Sequence, residues 1–112
     1  MNAATPLPHT VVRYFDLMDR NQKTGVVDLF TSNAQVTDDG RTYRGRDEIL
    51  GWLAGPASEY TTTSTQLSAE GTDSTVTVEI RIEGNFPGGV VDLRNTFALD
   101  PSGLITTLSI AP

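Results

Sequence analysis

A chain of 112 residues, 38% hydrophobic and 20% charged, is long enough to bury one core and too short for two, so a single domain over 1–112 is expected. Eight Lys and Arg against fourteen Asp and Glu give a net charge of -6, and the basic residues are scattered, which argues against nucleic acid as a partner. With no cysteine and one histidine, His9, neither disulfides nor a thiolate or zinc site can be assembled, and no metal or cofactor is expected. No basic-then-apolar leader and no apolar run of membrane-spanning length occurs, so a cytoplasmic protein with no membrane partner is the expectation.

Residues 1–8 read as a loose lead-in, with Pro8 suited to the first turn of a helix. From His9 to Arg20 the apolar positions Val11, Val12, Tyr14, Phe15, Leu17 and Met18 recur at spacings of three and four, which predicts an amphipathic helix. Arg20-Asn21-Gln22 ends it, and Lys23 to Phe30 forms a shorter second helix with an apolar side of Val26, Val27, Leu29 and Phe30, weakened by Gly25. Ala34 to Asp38 is a short strand, Asp39-Gly40 a turn, and Arg41 to Arg44 the return strand. Asp47 to Leu53 is a third helix with Asp47 and Glu48 in its first turn, where the helix dipole favours acids, and Gly55-Pro56 closes it.

Beyond this point β-branched residues and period-two alternation replace the helical spacing. Glu59 to Ser68 is rich in Thr. Over Thr75 to Glu83 one strand face carries Val76, Val78, Ile80 and Ile82 and the other Thr77, Glu79, Arg81 and Glu83, the pattern of a half-buried antiparallel strand. Turns at Asn85 to Gly89 and Asp100 to Gly103 separate further strands at Val90 to Leu99 and Leu104 to Ile110. Three helices followed by long strands predict an α+β fold, with helices packed on a cone-shaped, curved antiparallel sheet of four to six strands.

The element order and the phrase VVDLFTSNAQVTDDGRTYRGRDEILGWL resemble the nuclear transport factor 2-like superfamily, in its SnoaL-like and ketosteroid isomerase-like branches. The pattern is kept as Leu29-Phe30, Val36 to Asp38, Tyr43-Arg44-Gly45 and Ile49 to Leu53, and LRNTFALDPSGLITTL fits the C-terminal part. Ketosteroid isomerases carry a tyrosine in the first helix, an aspartate base ending the first strand and a protonated aspartate in a late strand. The resemblance puts Tyr14, in Val11-Val12-Arg13-Tyr14, on the tyrosine and Asp38 on the base, while Asn95 stands where the late acid would be. An asparagine donates a hydrogen bond from its amide without a raised pKa, but it holds no acid proton.

The resemblance therefore implies a cofactor-independent isomerase or cyclase-like enzyme acting on a small apolar carbonyl compound, steroid-like or polyketide-like. Asp38, Tyr14 and Asn95 are its expected catalytic residues. Strand parity independently groups Leu93, Asn95 and Phe97 on one face. Phe30, Val36, Trp52, Phe86, Leu93 and Phe97 are the expected walls of the pocket. Other readings stand beside this one: Tyr14 as core, Asp38 as a turn former, and the domain as a non-catalytic module for a small apolar ligand or for dimerisation. Asp92 and Arg94 resemble the alternating Asp and Arg of limonene epoxide hydrolases of the same fold, a lesser alternative. A homodimer through the Thr-rich, lysine-poor outer sheet face (Thr61 to Thr65, Asp92 to Thr96, Thr106-Thr107) is also expected.

Overall fold

The structure, a computed structural model, describes residues 7–20, 23–72 and 74–112. Most of the expected lead-in and the Asn21-Gln22 helix break lie outside the described residues. Helix α1 (His9–Asp19) buries Val11, Tyr14 and Leu17, one residue per turn, as its period requires. The segment expected as a second α-helix is a 3-10 helix, Lys23–Leu29, and buries Lys23 and Val26. Gly25 and the β-branched pair Val26-Val27 disfavour an α-helix here, whereas short 3-10 pieces tolerate them as connectors. Phe30, placed from sequence at the end of that helix, instead opens strand β1 (Phe30–Asp38), which runs four residues further upstream than expected.

Asp39 and Gly40 both have positive φ, 53° and 76°, and the pairing of Asp38 with Arg41 makes them a two-residue hairpin turn into β2 (Arg41–Arg44). Helix α2 (Gly45–Ala54) begins two residues earlier than expected because Glu48 Oε1 accepts the Arg44 backbone N–H at 2.8 Å and so satisfies a donor at the helix start. Ile49, Trp52 and Leu53 are its buried face. Arg46 ties the helix to β1, donating to the Phe30 carbonyl at 2.7 and 3.1 Å. A 3-10 turn, Pro56–Ser58, follows and leads into β3 (Thr62–Gly71), β4 (Thr75–Gly84), β5 (Val90–Leu99) and β6 (Ile105–Ala111).

The six strands form one sheet in the order β2-β1-β6-β5-β4-β3. The expected curved sheet under helices is present, with one correction to its pairing: β1 and β6 run parallel, so the sheet is mixed. A long excursion through α2 and four strands, β2 to β5, returns the chain to β1 in the same direction, which a tight hairpin cannot do. The edge strands β2 and β3 are the most exposed, as suits polar Thr-rich edges. In β3 the register slips between Gln66 and Ser68, leaving Leu67 as an extra, exposed residue and interrupting the alternation.

The alternation in β4 places Val76, Val78 and Ile80 in the core, and in β5 it places Asn95, Phe97 and Leu99 there. These strands, with Val36, Ile105 and Leu108, form the concave face against which α1 and α2 pack. On the convex face Arg81 grips its cross-strand partner Asp92 through two bonds of 2.8 and 3.1 Å. No helix among the described residues is long and apolar enough to cross a membrane.

Candidate functional site

Between the helices and the concave face lies a cavity of about 660 Å³. Tyr14, Asp38 and Asn95 all line it. Three elements converge to bring them there. Asp38 ends β1 next to the hairpin turn, Tyr14 comes from the buried face of α1, and Asn95 is central in β5. The sheet register makes the relation between the two strand residues explicit: Asp38 pairs with Ile110 of β6, and Ile110 pairs in turn with Asn95. Residues paired in one row across a sheet share a face, and strands are about 4.8 Å apart, so roughly 10 Å separates the Asp38 and Asn95 backbones. A ligand's carbonyl and the carbon beside it fit in that span, above Ile110.

Asp38 is half-buried and oriented by a specific contact: the Trp52 indole N–H donates to its Oδ2 at 3.0 Å. Among the described residues its other oxygen, Oδ1, accepts no side-chain hydrogen bond, and Asp38 lines the cavity. Trp52, expected as core or pocket wall, is both, and its N–H fixes the carboxylate as well. Tyr14 packs edge-on against Phe15 and Phe97, with ring centroids 5.1 and 5.2 Å apart. Burial first, and the Asp38 carboxylate second, push the Tyr14 phenol well above its usual range, so it is held as a neutral O–H donor.

Asn95 is 2% exposed, and its Nδ2 has no hydrogen-bond partner. Its cross-strand neighbours Val78 and Ile110 offer no acceptor side chain. A buried amide donor is seldom left unpaired, because its desolvation is then uncompensated. The residue lines the cavity while Nδ2 itself is out of reach of solvent, so a turn of the amide would be needed to present this donor to a ligand acceptor.

Of the six expected wall residues, Trp52, Phe86 and Leu93 line the cavity. Phe30, Val36 and Phe97 do not, and that expectation is corrected: each is fully buried in the core behind the wall. Phe97 is covered by the rings of Tyr14 and Phe15, while Phe30 and Val36 lie on β1 beneath α2. Asp92 and Arg94 are exposed on the convex face, so the alternation that resembled an epoxide hydrolase does not enter the cavity.

The residues that sequence reasoning missed gather at the mouth. Asp19 accepts from Ser64 through the backbone N–H at 3.2 Å and the hydroxyl at 3.0 and 3.1 Å, joining the end of α1 to β3. Tyr60 lies against the expected Phe86, with ring centroids 6.0 Å apart and planes tilted by 60°. Lys23 also lines the cavity and donates to the Ala57 carbonyl. The one sequence signal for Lys23 was its spacing of three from Val26, which is a full turn once the segment is 3-10 rather than α.

The SnoaL-like domain family matches residues 11–104. Among solved structures, a candidate polyketide cyclase from Sinorhizobium meliloti superposes with a TM-score of 0.84 at 28% identity, over 93% of this chain and 94% of that one. SalBIII, described as an epoxide hydrolase/cyclase-like enzyme in pyran ring formation in polyether salinomycin, gives 0.78 at 19% identity over 91% and 86% of the two chains. Rv0760c from Mycobacterium tuberculosis, in complex with estradiol-17β-hemisuccinate, gives 0.77 at 14% identity over 90% and 88%. The last two likenesses speak to the fold alone. No curated protein matches.

Proposed function

Because this chain belongs to the SnoaL-like family, we propose that it is a cofactor-independent isomerase or cyclase-like enzyme that takes a small apolar carbonyl compound, steroid-like or polyketide-like, into the cone and removes the proton beside its carbonyl. The observation that carries the proposal is the unpartnered Asn95 amide, buried on the wall of the cavity that Asp38 and Tyr14 also line. Asp38 Oδ1 takes the proton from carbon. The C–H electron pair moves into the new C=C bond, and the carbonyl oxygen becomes an enolate oxygen.

That oxygen receives the Tyr14 O–H and, once the Asn95 amide turns toward the cavity, its Nδ2–H. The enolate then either regains the proton at another carbon, which is isomerisation, or attacks a second carbonyl carbon of the same molecule, whose π electron pair moves to its oxygen and takes the proton back from Asp38, which closes a ring. Trp52 holds the base in position throughout. Asparagine in place of the isomerases' late-strand acid supports a hydrogen-bonded enolate and no acid-specific step. Cytoplasmic residence and a homodimer through the outer sheet face complete the proposal.

The test is hydrogen–deuterium exchange beside the carbonyl, followed by NMR in D2O over a panel of steroid enones and polyketide-like diketones. Asp38→Asn should slow exchange of any substrate found by about a hundredfold or more while ligand binding persists. Full activity in Asp38→Asn refutes the assignment. Tight binding with no exchange by the wild type favours the second reading, a non-catalytic carrier of the same ligand, which the apolar cavity also supports.

A further inference from the structure

Lys23 is 6% exposed, yet among the described residues no carboxylate lies within ion-pairing distance of its ammonium. Lysine is rarely buried to this extent without a counter-charge, because a desolvated cation is unfavourable unless paired. Its hydrogen bond to the Ala57 carbonyl uses one donor of three. Asp19 acts on it electrostatically, but that carboxylate is occupied by Ser64. Burial accordingly outweighs Asp19 and lowers the Lys23 pKa from the usual lysine value. The same side chain lines the cavity that holds Asp38, beside Met18, Pro56 and Ala57.

From this arrangement we infer that the Lys23 end of the cavity is an anion subsite, and that the ligand carries a carboxylate as well as its carbonyl. The inference rests on the reading of the cavity as a site for a carbonyl compound and narrows it to an apolar keto acid. Two opposite charges on different elements then orient the ligand. The carboxylate meets Lys23 in one pose and Asp38 in the reverse pose, and like charges in a poorly solvated cavity exclude the second. The carbonyl end is thereby delivered to Asp38, Tyr14 and Asn95.

The competing account makes Lys23 a tether, joining the first 3-10 helix to the second through Ala57. A pair of probes separates the two: the hemisuccinate of a steroid that carries a hydroxyl besides its ketone, esterified at that hydroxyl, and the methyl ester of that hemisuccinate, alike in body and differing in charge. Each is titrated against the full chain by calorimetry and by the fluorescence of Trp52, its one tryptophan. The wild type should bind the acid roughly 10- to 100-fold more tightly than the ester, the span expected for a charge-assisted hydrogen bond.

Lys23→Met should bring the acid down to the ester's affinity and leave the ester unchanged. Lys23→Gln, which keeps a donor for Ala57 without the charge, should lose the preference equally. A tether predicts that both ligands weaken together in Lys23→Met and recover together in Lys23→Gln, and that outcome overturns the inference. Equal wild-type affinities overturn it too, while leaving the cavity's proposed function intact. Failure of both probes to bind the wild type refutes that function and the inference with it.

Discussion

Replacing Asn95 by Leu should make this protein more stable and less able to hold a ligand. Asn95 is 2% exposed with an unpartnered Nδ2, between Val78 on one side and Ile110 on the other. Leaving an amide donor buried and unsatisfied costs about 1–3 kcal/mol. Leucine has nearly the same shape, carries no polar atom, and has the cavity beside it to accept its slightly larger volume. A net gain of about 1–2 kcal/mol is expected, which for a domain of this size raises the Tm by roughly 4–8 °C. Thermal melts followed by circular dichroism and urea titrations with an unchanged slope measure it. The same variant should bind a carbonyl ligand more weakly, since one donor to its oxygen is gone. An unchanged or lowered Tm would show that the amide is already satisfied in the free protein, and the vacancy on which the proposed function depends would not exist.

Tyr14 gives a pH signature. Its folded pKa is raised, so above the ordinary value of 10.0 the unfolded chain releases a proton that the folded protein keeps, and stability falls as pH rises through that window. The wild type should lose about 1.4 kcal/mol per pH unit there relative to Tyr14→Phe, and parallel curves for the two would refute the assignment. Gly84→Ala should destabilise by about 1–3 kcal/mol, the range for overpacking. A Cβ at Gly84 would clash with the Thr61 carbonyl oxygen and stand 2.8 Å from Thr62 Cγ2, and it should also loosen the Tyr60–Phe86 contact and weaken ligand binding. Sedimentation should detect a dimer through the convex sheet face, and a monomer at high concentration would count against it.

Where one side chain's environment follows from its own strand or helix, the sequence was legible. The period-two pattern of Val76 to Ile82 announced a strand with one buried face, and parity in β5 put Asn95 inward beside Phe97. The Asp39-Gly40 pair announced a tight hairpin. Where the environment depends on how two distant elements meet, the sequence was silent. The bond from Trp52 to Asp38 requires α2 to lie across β1 at a particular angle, and no local pattern encodes that. Lys23 reads as a solvated cation until the turn at Pro56 to Ser58 closes over it. Phe30, Val36 and Phe97 were correctly apolar and inward, but inward residues fill two layers, and only packing decides which layer touches a ligand.

The parallel ladder between β1 and β6 also bears on how the molecule assembles. Pairing Phe30 with Ile105 joins positions 75 apart in sequence (105 minus 30), and β6 lies between β1 and β5. Until β6 docks, no strand ladder joins the β1–β2 hairpin to the β3–β4–β5 meander, although α1 reaches the meander through Asp19 with Ser64 and Tyr14 with Phe97. Contacts of such long range are entropically late, and they slow folding relative to local ones. Asp38 belongs to the hairpin and Asn95 to the meander, and they share a row only through Ile110. A chain in which β6 has not docked therefore carries Asp38 and Asn95 on strands that no ladder joins, and the row they share is absent.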